Sequence, residues 1–385
     1  MTVRRLQDIP GFHIDRVARA AGADPDVLRL ENLDTDLRPP AAAVAATERA
    51  LAEDRANSYL PFEGTPELRT AVAERLYRQT GVRYTPDQVV ITCGGTEGLF
   101  DALLATTDPG DEVILTDPTY AGMINRVRLV GAVPRFAPLV AGPLGWHLDL
   151  DALRQAVTAR TRVLMLMSPA MPAGAVLDQA AWDAVAALCR DAELWLVYNA
   201  AMERILFDGV PFIHPAGLPG MAARTLTVGS VSKEFRMIGW RIGWVVGPES
   251  VIGDVRRAHL YNVVTATGIA QAGAVAALEA PAEDFEACRR EWQRRRDTVL
   301  EQLAGWPCRA AAGGWSLLLD VAVLGLSSTA ASDRLLAAGR VAATPMRDWG
   351  SAGSDRYVRL VYSNEPVARL RTLGRRVEAA LGAAR

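Results

Sequence analysis

Three features of the sequence predict an α/β protein built on a doubly wound, mostly parallel sheet. Between residues 85 and 250, short β-rich runs alternate with longer helical stretches. Several of the runs are continuously apolar, as expected for strands covered by helices on both faces. The segments that follow the runs carry glycines, hydroxyls, an aromatic and a lysine. That suits the carboxyl edge of a parallel sheet, where ligands bind.

The predicted strands are Gln88–Thr92, Glu112–Thr116, Arg162–Met167, Glu193–Tyr198, Thr225–Val228 and Gly243–Val246. Ahead of them lies an extended, proline-containing piece, Asp34–Pro40. Behind them, Asp284–Leu303 reads as a long, charged, amphipathic helix that leaves the sheet. The tail holds two short strand-like runs, Trp315–Val321 and Tyr357–Val361, and the helix Pro366–Leu381. We expect a large domain over residues 45–283 and a small α/β domain made from residues 1–44 together with 284–385. A chain of 385 residues is long enough for both.

Composition narrows the function. Half of the residues are hydrophobic and 22% are charged, an ordinary globular balance. The formal net charge of −2 provides no electrostatic footprint for nucleic acid or an anionic membrane surface. No apolar run reaches the roughly 20 residues that span a bilayer. Arg4 and Arg5 are not followed by the apolar stretch of a secretory signal. The four cysteines and four histidines are scattered, with no CxxC spacing. This argues against a disulfide framework or a metal centre and for free thiols in a reducing cytoplasm.

Five segments should meet at the sheet edge: Cys93–Gly98, Asp117–Tyr120, Ser168–Gly174, Asn199–Met202 and Gly229–Lys233. The first is a glycine-rich turn into a helix, where backbone N–H groups and the helix dipole favour an anion. A plain strand-to-helix turn would have the same composition. The fifth is sharper. Lys233 follows Ser230, Val231 and Ser232, and Trp240, Arg241, Ile242, Gly243 and Trp244 come soon after. A lysine there can form an imine with an aldehyde cofactor. The hydroxyls of Ser230 and Ser232 and the fork of Arg241 suit a dianionic phosphate.

This lysine segment resembles that of the class I/II aminotransferases, pyridoxal-phosphate enzymes of fold type I. Other segments resemble the same family in order. They are Asn57–Leu60 with Gly64–Arg69, the Asp117–Tyr120 turn, and Tyr357–Leu360. The resemblance implies a large domain with a mostly parallel seven-stranded sheet. It implies pyridoxal 5'-phosphate as cofactor, an amino-acid substrate, and a homodimer with shared active sites. Lys233 would be the Schiff-base lysine and the Cα proton shuttle. Gly95, Thr96, Ser230, Ser232 and Arg241 would hold the phosphate, and Tyr120 would stack on the ring. Tyr59 would reach the phosphate of the neighbouring subunit. Arg359 would pair with the substrate carboxylate. Trp315, Met346, Arg347 and Trp349 lie where the family's small domain approaches the substrate.

Three positions depart from the family pattern. The Asn that bonds the ring's phenolic oxygen is Met171 here, and the Tyr that also bonds it is Met202. The Asp that pairs with the ring nitrogen is Asn199. A neutral amide favours the protonated, electron-withdrawing ring far less than a carboxylate does. The departures point first to a specialised reaction at Cα: a β-eliminating lyase or a decarboxylating oxidative deamination in secondary metabolism. The alternatives are an ordinary aminotransferase and a non-catalytic cofactor-binding regulator.

Overall fold

The computed structural model describes residues 3–11, 13–142 and 145–383. Strand β1 (Leu28–Leu30) is followed by β2 (Val89–Thr92), β3 (Glu112–Asp117), β4 (Val133–Gly142), β5 (Gly145–Leu148), β6 (Thr161–Met167), β7 (Trp195–Asn199), β8 (Thr225–Ser230) and β9 (Gly243–Val246). Three more strands, β10 (Ser316–Asp320), β11 (Val341–Pro345) and β12 (Tyr357–Val361), follow. They fall into two sheets, of eight and four strands.

The larger sheet runs in the order β2-β9-β8-β7-β6-β3-β4-β5. Neighbours from β8 to β4 pair in parallel, β9 runs against both its neighbours, and β5 folds back on β4. The sheet therefore has eight strands where seven were expected. The extra strand is the short return of the β4–β5 hairpin.

Both faces of this sheet are buried from β2 across to β3, which explains the unbroken apolar runs. Side chains alternate sides along a strand. Val163, Met165 and Val197 pack with Leu99, Leu103, Met123 and Val255 from helices on one face. Leu164, Leu166, Leu196 and Tyr198 pack with Trp182 and Val185 on the other. Burying each such aliphatic side chain contributes about 1.5–3 kcal/mol.

In the smaller sheet, β1 from the N-terminal side pairs in parallel with β11, and β12 runs antiparallel between β11 and β10. The long helix Ala282–Gln302 precedes it. The predicted final helix is two, Val367–Leu370 and Leu373–Leu381. No helix among the described residues is long and apolar enough to cross a membrane.

Candidate active site

The carboxyl ends of β2, β3, β6, β7 and β8 deliver all five anticipated segments to one cavity of about 250 Å³. Gly95, Thr96, Tyr120, Met171, Asn199, Met202, Ser230, Ser232, Lys233, Arg241 and Arg359 all line it. Tyr59 does not; its side chain is 82% exposed on the surface. Ile14, Asn32, Leu33, Asp34, Leu99, Met167, Ala201 and Ile238 complete the wall.

The glycine-rich turn is shaped for an anion. Gly94 adopts φ 80° and caps the helix Gly95–Thr106, in which the N–H groups of Gly95 and Thr96 precede the first hydrogen bonds, from Glu97 N and Gly98 N to Gly94 O. A Cβ on Gly94 would lie 2.4 Å from Nη2 of Arg241, so only glycine lets the guanidinium approach the turn. Arg241 itself is left-handed at φ 54°, a conformation that costs a non-glycine residue about 1–2 kcal/mol. Its Nη1 donates to Ile238 O at 2.8 Å and to Ser232 Oγ at 3.4 Å. Two serines, two glycines and a guanidinium thus meet at a helix N-terminus, and they fit a phosphate.

Lys233 is deep in the cavity. Its Nζ donates to Leu33 O at 2.5 Å and lies 5.2 Å from the centre of the Trp315 ring. Burial pushes the amine down to about 8; Asp34 opposes the shift, while Arg359 and Arg241 add to it. A buried amine with a lowered pKa is what imine formation with an aldehyde needs.

Arg359, on β12, is fully buried. Its Nη2 donates to Glu31 O and Thr344 Oγ1, and its guanidinium lies 4.7 Å from the Trp349 ring centre. Burial also lowers its pKa, to about 10. Its Nε is buried without a hydrogen-bond partner among the described residues. Trp349 also approaches the Tyr120 ring, with centroids 6.0 Å apart. Tyr120 can fold back over its helix because residue 122 is glycine; a Cβ there would lie 2.4 Å from the Tyr120 ring.

Two of the three departing residues give the cavity an apolar lining. Met171 and Met202 are buried. Asn199, at the end of β7, accepts from Ala201 N at 3.2 Å and points its amide nitrogen at the sulfur of Met123, 3.8 Å away. Of the residues placed near the substrate, Trp315 and Trp349 pack against Lys233 and Arg359. Met346 is buried, and Arg347 is exposed and outside the cavity lining. Sequence reasoning missed Asp34. The available signal was an acidic residue where an irregular, proline-containing stretch begins, just beyond the apolar run Leu28–Leu30.

The family described as Aminotransferase class I and II matches residues 26–376. The chain belongs to the class I and II aminotransferase family. It is therefore a pyridoxal-phosphate-dependent enzyme. It is 36% identical over 329 residues to arginine–pyruvate transaminase AruH of Pseudomonas aeruginosa, spanning 84% of this chain and 82% of that protein. It is 34% identical over 345 residues to the aspartate/prephenate aminotransferase of Thermus thermophilus, spanning 88% and 87%. Among solved structures it resembles N-succinyldiaminopimelate aminotransferase from Mycobacterium tuberculosis, with TM-score 0.92 and 32% identity over 98% of this chain and 99% of that one. These similar proteins are all named as transferring amino groups. They favour an aminotransferase over the β-eliminating or decarboxylating enzyme that the departures first suggested.

Proposed function

We propose that this family member moves an amino group between an amino acid and a 2-oxo acid, and that its donor carries a cationic side chain. The observation that carries the transfer reading is Arg359. A buried guanidinium that lines one cavity with Lys233 offers charged donors to a substrate carboxylate. An α-carboxylate bound there would leave the substrate's Cα free to face Lys233.

Gly95, Thr96, Ser230, Ser232 and Arg241 would hold the cofactor phosphate. Tyr120 would lie on its ring, Asn199 near its ring nitrogen, and Met171 and Met202 along its oxygen edge. Bound pyridoxal phosphate supplies an aldehyde carbon that exchanges the amino group and a ring that draws electrons from Cα. Lys233, with its amine poised near neutrality, would take the Cα proton as general base. The methionines and the tryptophans Trp315 and Trp349 would keep water from the reacting carbon.

Asp34 supports the donor class. It is the one carboxylate lining the cavity among the described residues, and it makes no ion pair among them. The three cations of the lining, Lys233, Arg241 and Arg359, already have roles, so none is left for a side-chain carboxylate. The similarity to an arginine–pyruvate transaminase points the same way.

A donor panel with pyruvate as acceptor tests the proposal by measuring alanine formed. Arginine, ornithine and lysine should exceed aspartate and glutamate at least tenfold in kcat/KM, and Asp34→Asn should narrow that gap. Preference for dicarboxylic donors would overturn the donor class. Release of ammonia, carbon dioxide or peroxide without alanine would instead support the second reading. That reading, a specialised reaction at Cα, is favoured by Asn199, Met171 and Met202.

We further propose two domains, 45–283 and 1–44 with 284–385, because β1 shares a sheet with β10–β12. We also propose a cytoplasmic homodimer in which Tyr59 completes the partner's phosphate site.

A further inference from the structure

We propose that His259 is a positioning residue for the phosphate turn, tying it to the segment that carries Tyr59. The proposal rests on the reading that the cofactor phosphate sits on the Gly94–Thr96 turn.

His259 lies on the helix Glu249–Asn262, outside the cavity lining, and is fully buried. Its Nε2 is 2.8 Å from Phe62 O. A carbonyl only accepts, so this nitrogen carries the hydrogen. Its Nδ1 is 2.6 Å from Oε1 of Glu97. The other Glu97 oxygen accepts the backbone N–H of Cys93. Glu97 stands in the first turn of the phosphate helix, and Cys93 opens the glycine turn. A continuous chain thus runs from Cys93 through Glu97 and His259 to Phe62, three residues from Tyr59.

Asp101 completes the cluster. One of its oxygens accepts from Asn262 at 3.2 Å, and the other is 4.0 Å from Nδ1 with no hydrogen-bond partner among the described residues. Burial and the neighbouring Glu97 push Asp101 up to about 8, which keeps it neutral. Glu97 is held below its ordinary range and His259 above its own. Both ring nitrogens of His259 face acceptors, Phe62 O and the Glu97 carboxylate, so both carry a hydrogen and the pair is a carboxylate and an imidazolium. These three residues could be mistaken for a cation site, since their ligand atoms lie within 4.8 Å of one another. But an imidazolium has no lone pair to offer a metal. Buried ion pairs add little net stability, while fixing geometry is a role they can serve.

The test compares the affinity of the cofactor-depleted full chain for pyridoxal phosphate and for pyridoxal, followed by absorbance. A merely structural histidine would weaken both alike. In His259→Leu, the preference for the phosphorylated form should fall at least tenfold, with pyridoxal affinity within about twofold of wild type. His259→Gln keeps a donor for Phe62 O and should retain part of the preference. Should the leucine variant not fold, His259→Gln and Glu97→Gln carry the test through the same ratio. An unchanged ratio in folded variants overturns the role of His259. A wild type with no preference for the phosphorylated form would instead overturn the phosphate reading.

Discussion

Nη1 of Arg359 lies 3.5 Å from the sulfur of Met171, and both side chains line the cavity. The sulfur is a weak acceptor. It positions the guanidinium without competing with a carboxylate. Replacing Arg359 should therefore damage substrate binding and spare cofactor binding. A hydrogen bond to a charged group is worth about 1.5–3 kcal/mol, so Arg359→Gln should raise KM roughly 10- to 150-fold. Arg359→Lys should recover little, since an ammonium cannot present two parallel donors. Steady-state kinetics beside a cofactor titration checks this. A normal KM in either variant would remove Arg359 from the site.

Asn199 should set how readily the cofactor ring draws charge. In Asn199→Asp, one oxygen can keep the bond from Ala201 N, while the other meets only the sulfur of Met123. Without cofactor that second oxygen lacks a donor, at a cost of about 1–3 kcal/mol. The variant should melt below wild type when depleted and regain much of the difference when loaded. Its conversion of cofactor from aldehyde to amine form with a simple amino acid should accelerate, further so with Met171→Asn and Met202→Tyr added. Thermal melts and single-turnover absorbance measure both effects. An unchanged rate in a folded, loaded variant would show that these three residues do not tune the chemistry.

These departures were legible in the sequence because they sit inside motifs of fixed order. So were the six adjacent strands β2, β9, β8, β7, β6 and β3, whose burial on both faces leaves long apolar runs. The edge was less legible. β4 alternates exposed and buried residues and contains Pro134 and Pro138, tolerated there because part of an outer strand lacks a second neighbour. β1 has only three residues, and β11 is Val-Ala-Ala-Thr-Pro, with little β-propensity of its own. They pair with each other across more than 300 positions of sequence, and β11 pairs with β12 as well. The same distance hid Asp34, which reaches the cavity because β1 docks on β11. The contact of His259 with Glu97, 162 positions apart, was hidden too, because scattered histidines give no spacing to read.

The reaction of the depleted chain with pyridoxal phosphate should follow the titration of Lys233. Only the uncharged amine attacks the aldehyde. Burial lowers the amine from 10.5 to about 8, so the rate should rise with pH and level off above about 8. Between about 8 and 10.5 the unfolded chain binds the proton and the folded chain does not, so stability should increase with pH across that window. Asp34→Asn removes the field that raises the amine and should move the midpoint lower. A stopped-flow pH profile with its midpoint near 10 would contradict this environment for Lys233.

Tyr59 is highly exposed, and Phe62 and Tyr261 are exposed aromatics as well. Large apolar side chains left on a surface commonly mark an interface. The protein should be a dimer by light scattering at micromolar concentration. Tyr59→Phe should weaken cofactor retention several-fold without dissociating the dimer. A fully active, cofactor-bound monomer would refute the shared site.

The central claim is that Lys233 holds the cofactor covalently, opposite the Gly94–Thr96 turn. Borohydride reduction of the loaded protein, followed by proteolysis and mass spectrometry, tests it most directly. One reduced cofactor adduct per chain is expected, on the peptide containing Lys233, and its loss in Lys233→Ala. A loaded, yellow protein with the adduct on another residue, or with none, would contradict it.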